Sequence, residues 1–224
     1  RVNTARWSPD GRWILTAGDD WSAVVFDADS GKPVLRLPHR AGVLTAEWSP
    51  DGARVVTASA DHTARLWIVP PIDPEHPADI TPYATLAAHT DIVLRAAFDA
   101  AGTRVVTVGR DRTMRLWDAA SGDPLTSFEG HADLVDAVAI SPDGTLLVTG
   151  SRDGTAQVWD AHAGKRAPID VGEEIFGLAL SPDGATVATG TANGEVLLWS
   201  GGATEPVATS RHQAPIAAVA FSPD

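Results

Sequence analysis

The sequence predicts an all-β protein assembled from one small four-stranded sheet repeated along the chain, and three observations carry that prediction. A Ser-Pro-Asp-Gly tetrapeptide stands at residues 8–11, 49–52, 141–144 and 181–184, with a degenerate copy, Asp99-Ala100-Ala101-Gly102, between them and Ser222-Pro223-Asp224 opening another. Successive copies begin 41, 50, 42, 40 and 41 residues apart, a period that marks a repeat array. Between the copies lie short β-branched or apolar runs bounded by Gly, Pro and Asp, such as Val55-Val56-Thr57, Val105-Val106-Thr107, Leu146 to Thr149 and Val196 to Trp199. Many of these runs are apolar throughout instead of alternating, so both faces of each sheet must be covered. Four strands per unit, stacked face to face with neighbouring units, are the blades of a β-propeller.

Each unit can be justified in order along the chain. Proline followed by Asp-Gly suits a tight turn, because proline presets φ and glycine tolerates φ > 0. Five residues after each turn glycine comes threonine: Thr16, Thr57, Thr107, Thr149 and Thr189. Four further on stands an acidic or amide residue (Asp20, Asp61, Asp111, Asp153, Asn193), and six beyond that an aromatic (Phe26, Trp67, Trp117, Trp159, Trp199). Gly31, Gly122 and Gly164, each five residues after its aromatic, mark a second reversal. Ten residues before the turn lies histidine at 39, 89, 131 and 212, with Val171 the exception. The units run 1–38, 39–88, 89–130, 131–170 and 171–211, with 212–224 supplying the first strand of a sixth.

Gly130-His131, Ser141-Pro142-Asp143-Gly144, Asp153 and Trp159-Asp160 form the most complete copy, and at these intervals the chain resembles the WD-repeat (WD40) β-propeller family over its whole length. The departures are local: Phe26 replaces tryptophan in the first unit, and Ile68 and Ser200 replace the aspartate after the aromatic in the second and fifth. The resemblance implies that His39, Thr57, Asp61 and Trp67, then His89, Thr107, Asp111 and Trp117, then His131, Thr149, Asp153 and Trp159 form structural hydrogen-bonded tetrads. The physics agrees, since polar groups buried between sheets must satisfy one another. A Thr-His-Asp set also invites a catalytic reading, but a nucleophile is needed once and this set occurs three times. This family most often has seven blades, so five blades and one strand, in a chain that starts at Arg1 with Met114 as its single methionine, are expected to be an excerpt of a larger propeller.

Composition narrows the functional classes. Seventeen basic against 29 acidic residues give a formal charge of −12, so the broad positive field that drives nucleic-acid or anionic-membrane binding is missing. Cysteine is absent, which removes thiol chemistry and thiolate metal sites. Outside the repeat slots only His62, His76 and His162 remain, none with a second histidine at ligand spacing, and no cofactor motif is present. No apolar stretch approaches a bilayer span, and a cytoplasmic location is expected. The second unit carries extra residues with Pro70, Pro71, Pro74, Pro77 and Pro82, which disfavour regular structure and read as a stiff, tolerated excursion on the same face as the Ser-Pro-Asp-Gly turns.

Repeated residues report on the fold, so function is expected where equivalent positions differ. By the family's geometry these are the positions three and five after the histidine slot and those flanking the aspartate slot, on the narrow face. The candidates there are Trp21, Leu44, Leu94, Arg110, Leu134, Asp136, Arg152, Glu174 and Phe176, apolar anchors among charges of both signs, as interface hot spots are built. Leu94, Leu134 and Phe176 equally suit packing between blades. The leading expectation is a non-catalytic scaffold that binds a protein or peptide, serving as the sensory part of a larger signalling protein. The Ala/Arg/Asp-rich composition with only Lys32 and Lys165 is that of a high-GC bacterial source. The alternative is a small-molecule or enzymatic propeller with Asp136, Glu173 and Glu174 at the channel mouth.

Overall fold

The computed structural model describes residues 1–161, 164–165, 168–200 and 205–222. Every element is a strand. The first blade is β1 (Val2–Trp7), β2 (Trp13–Gly18), β3 (Ser22–Asp27) and β4 (Pro33–Pro38), and the second is β5 (Val43–Trp48), β6 (Arg54–Ser59), β7 (Ala64–Ile68) and, after the short β8 (Ala78–Asp79), β9 (Ala84–Leu86). The third is β10 (Val93–Phe98), β11 (Arg104–Gly109), β12 (Thr113–Asp118) and β13 (Pro124–Glu129). The fourth is β14 (Val135–Ile140), β15 (Leu146–Ser151), β16 (Thr155–Asp160) and a last strand in two pieces, β17 (Gly164–Lys165) and β18 (Ile169–Asp170). The fifth is β19 (Ile175–Leu180), β20 (Thr186–Thr191), β21 (Glu195–Ser200) and β22 (Ala208–Arg211). Strands pair in chain order within each sheet, as consecutive hairpins require.

In the second to fifth blades the second strand has covered faces on both sides: β6, β11, β15 and β20 are buried at every position but the first. Their Val-Val-Thr and Leu-Val-Thr composition follows from that burial. Two compact units divide the chain, one of Arg1–Phe98, Gly102–Asp111 and Arg115–Thr126, the other of Asp99–Ala101, Arg112–Met114 and Ser127–Asp224. In the first, Leu15, Val25, Leu37, Val43, Val55 and Trp67 form one core between the first two blades, and Val56, Leu66, Leu86, Val93, Val105 and Trp117 a second. In the other, Val148, Ile175, Leu178, Val187 and Trp199 pack together.

The Ser-Pro-Asp-Gly turn is locally self-satisfying. Ser49 Oγ donates to Asp51 Oδ1 and accepts the Arg54 amide at 2.9 Å, Asp51 Oδ1 takes the Ala53 amide at 3.0 Å, and Gly52 sits at φ 70°. Ser8, Ser141 and Ser181 repeat the pattern with Asp10, Asp143 and Asp183. This explains why the tetrapeptide recurs nearly unchanged.

Three expectations need correction. The proline-rich insertion is not a free excursion: Ala78 and Asp79 pair in parallel with Leu35 and Arg36 as a fifth strand on the first blade. The Ile80 amide donates to Arg36 O at 3.0 Å, while Val69, Ile72 and Ile80 pack on the core between the first two blades. An unpaired outer strand is an open hydrogen-bonding edge, and the insertion covers it. Second, residues 212–222 form no ladder. They lie along the fifth blade, the Ile216 amide donating to Thr191 O at 3.0 Å and Ala218 seated where a side chain on Gly177 would project. Third, Gly31 and Gly122 take positive φ as the second reversal requires, but Gly164 lies in β17.

Candidate functional site

In three blades the His, Thr, Asp and Trp side chains lie within hydrogen-bonding reach of one another. His39 Nδ1 lies 3.0 Å from Asp61 Oδ2, His39 Nε2 2.7 Å from Thr57 Oγ1, and Trp67 Nε1 donates to the same hydroxyl at 2.9 Å. The corresponding distances are 2.8, 2.7 and 2.9 Å for His89, Thr107, Asp111 and Trp117, and 2.9, 2.8 and 2.9 Å for His131, Thr149, Asp153 and Trp159. One proton order satisfies every group: Trp N–H to Thr, Thr O–H to His Nε2, His Nδ1–H to the carboxylate. Burial lowers the His39 pKa against the pull of Asp61, so the ring is neutral. Burial alone would raise the Asp61 carboxyl, but the bonds from His39, Thr63 and the Arg40 amide outweigh it and hold the group well below the ordinary carboxylate range. Asp153 is lowered in the same way, burial being overcome by Thr155, the Ala132 amide and His131. Each of these three threonine hydroxyls is fully buried and bonded to both a Trp and a His. The fifth blade keeps only Trp199 Nε1 on Thr189 Oγ1 at 3.1 Å.

At the same end of each blade two backbone devices aim the variable side chains. The first strand of every blade carries a β-bulge: pairing skips from Val2 to Thr4, Val43 to Thr45, Val93 to Arg95, Val135 to Ala137 and Ile175 to Gly177. The skipped residues are Asn3, Leu44, Leu94, Asp136 and Phe176. A bulge turns its extra residue out of the pleat. The turn after the aspartate slot then places its next residue in the left-handed region: Trp21 (φ 68°), His62 (68°), Arg112 (65°), Gly154 (82°) and Gly194 (89°).

In the second unit these devices bring predicted residues together. Arg152 Nε donates to Asp136 Oδ2 at 2.5 Å, and its guanidinium carbon stands 5.2 Å from the centre of the Phe176 ring. The Asp136 hydrogen bond raises the Arg152 pKa further, with Glu174 and Asp133 adding to it. Leu134, Asp136 and Phe176 are half-buried, whereas Arg152 and Glu174 are exposed. The result is a preorganised guanidinium on an aromatic face beside a half-buried leucine. Asp136 is thereby held by Arg152, next to the exposed Glu173 and Glu174.

In the first unit Asn3 Nδ2 donates to Asp19 Oδ1 at 2.8 Å and to Val43 O at 2.9 Å, tying the first blade to the second. Leu44 and Leu94 are half-buried, Arg110 is exposed, and Trp21 is 59% exposed. Among the described residues no hydrogen bond, ion pair or ring contact joins these four. His62 Nε2 lies 4.0 Å from Asp91 Oδ1 and His76 Nδ1 bonds Asp73 Oδ2 at 2.7 Å, while His162 falls outside the described residues. Among the described residues no group of three or more His, Cys, Asp or Glu could hold a metal ion, and no helix is long and apolar enough to cross a membrane.

Comparison with known families settles the class. The family described as WD domain, G-beta repeat matches residues 1–27, 31–67, 80–118, 122–160 and 170–200. The chain belongs to this WD40 repeat family. Such repeats generally mediate protein–protein interaction, and the family is typically non-catalytic. A search of the curated proteins finds none that matches the chain. WD40 membership accounts for the tetrads and the turns, which recur, and leaves the bulge residues, which do not. The bulges themselves are what sequence reasoning missed. Their trace is the odd spacing of buried residues in the first strands, Val43 to Ala46, Val93 to Ala96 and Ile175 to Leu178, three apart where a regular strand gives two or four.

Proposed function

We propose that this WD40 array is a non-catalytic docking platform that binds a peptide or protein segment at the ends of the blades where the bulges and the left-handed turns lie. One observation carries the reading: five equivalent bulges present Asn3, Leu44, Leu94, Asp136 and Phe176, so that amide, aliphatic, acidic and aromatic side chains vary on one repeated backbone. The turns at the opposite ends are near copies, and near-identical loops discriminate poorly between partners. Arg152 on Phe176, held by Asp136 and beside Leu134, has the composition of an interface hot spot. Within this reading the array is the partner-sensing part of a larger cytoplasmic signalling protein, and sequencing the complete reading frame tests that extension.

The test of the platform is a comparison of variants. Phe176→Ala, Leu134→Ala and Arg152→Ala should each weaken capture of a binding partner about tenfold or more while the circular dichroism spectrum stays that of wild type. Asp123→Lys, between β12 and β13, serves as the control and should leave capture intact. Retention of every partner by the three variants, with loss in the control, overturns the assignment.

A further inference from the structure

Trp21 is the unusual residue of this surface. Its slot requires a left-handed backbone, which the fourth and fifth blades meet with Gly154 and Gly194, the residue that adopts it without steric cost. The first blade puts an indole there instead, 59% exposed, at φ 68°. A large aromatic that is mostly exposed and held in a sparsely populated conformation costs stability.

The surroundings of the ring set the chemistry of what would cover it. The equivalent residue of the second blade, His62, meets Asp91 of the third at 4.0 Å. Asp91 stands two residues after its histidine slot, and the corresponding residue facing the Trp21 turn is Ala41, too short to cover an indole. Elsewhere among the described residues a guanidinium lies over an aromatic ring, Arg12 on Trp13 at 5.4 Å, Arg54 on Phe98 at 5.5 Å and Arg152 on Phe176 at 5.2 Å. Among the described residues Trp21 carries no such cation. The two residues before it, Asp19 and Asp20, are both exposed carboxylates. Asn3 fixes Asp19 through Oδ1 at 2.8 Å, and Ser22 Oγ reaches Asp20 Oδ1 at 3.3 Å. An open π face beside two positioned negative charges, on a chain of formal charge −12, is complementary to a cation and repels an anion.

We propose that Trp21, with Asp19 and Asp20, is the docking point for a lysine or arginine side chain of the bound segment, so that the partner presents a basic residue to the first blade. This rests on the platform reading above and adds the partner's chemical class to it. The indole face takes the cation, and the carboxylates supply the charge that steers it there.

The test uses the intact 224-residue chain and three blocked peptides of equal length, bearing two adjacent lysines, two glutamines or two glutamates at the same positions. The indole N–H resonance of Trp21, identified by its loss in Trp21→Gly, is followed during titration. The lysine peptide should shift it, with an effect that weakens as salt is raised, and the other two should not. Trp21→Gly should weaken lysine-peptide binding at least tenfold and yet melt above wild type, because glycine relieves the strain; Asp19→Asn with Asp20→Asn should weaken binding and leave the fold intact. A structural role for Trp21 predicts the reverse pairing, lower melting with unchanged binding. Equal shifts with the glutamine peptide, or unchanged affinity in Trp21→Gly, overturn the proposal. The platform reading fails separately, through unchanged capture by the Phe176 and Arg152 variants.

Discussion

At the scale of single residues, each complete tetrad is a set in which removing one member strands the others. Asp111→Ala strands His89 and the Thr90 amide, and Trp117→Phe leaves Thr107 without its indole donor. Each should cost about 1–3 kcal/mol, lowering the melting temperature by roughly 2–10 °C, with partner affinity per folded molecule unchanged. A melting curve superimposable on wild type would contradict the tetrad. The same sets confer acid sensitivity. His39 is lowered from 6.5, and Asp61 and Asp153 from 3.8, so their stabilisation is full above those values and is lost as pH falls through the lower folded values. Glu47 on β5 has the opposite sign. Burial raises its carboxyl from 4.5 against the pull of Arg6 and Arg95, so its stabilisation is full below pH 4.5 and disappears as pH rises through the folded value. Glu47→Gln is therefore expected to melt higher than wild type at pH 8 and to lose that advantage at pH 4. A gain that is the same at both pH values would show that ionisation is not its cause.

At the scale of elements, what was legible in the sequence is what the chain repeats. The strands, the turns and the three tetrads recur with fixed spacing because equivalent environments demand equivalent residues. The bulges were hidden because most first strands mix polar and apolar residues without regular alternation, so an extra residue leaves no clear break in the pattern. β8 was hidden for another reason: Ala78-Asp79 between prolines has no strand propensity, and its pairing is decided by the open edge of β4. The candidate site was half legible. Spacing placed Arg152, Asp136 and Phe176 at one blade end, but only the geometry shows them bound to one another, and Trp21, Leu44, Leu94 and Arg110 stay separate. The clasp formed by β8 reverses the expectation for the insertion. Replacing residues 70–82 with a short Gly/Ser turn removes Ile72 and Ile80 from a core and uncovers β4, so the variant should melt several degrees lower and aggregate more readily. Wild-type melting and solubility would restore the view of the insertion as a passive loop.

At the scale of the whole molecule, a repeat array is a series of sheets whose stability is the sum of blade terms and neighbour terms, so opening should follow strand position and not chain position. In the second to fifth blades the second strand has partners on both edges and cover on both faces. The outermost strand has one edge open: β13 is exposed at all positions but Phe128, and β22 throughout. β4 breaks this rule, since Val34, Leu35 and Leu37 are buried and β8 lies on its outer edge. Native-state hydrogen exchange should therefore rank β6, β11, β15 and β20 as slowest and β13 and β22 as fastest. β4 should fall between them, slower than the other outer strands. Exchange of β4 as fast as β13 would mean that the parallel pairing of β8 opens freely and protects nothing. Protection that instead declined steadily from one end of the chain to the other would mean that blades unzip in sequence, against the additive picture.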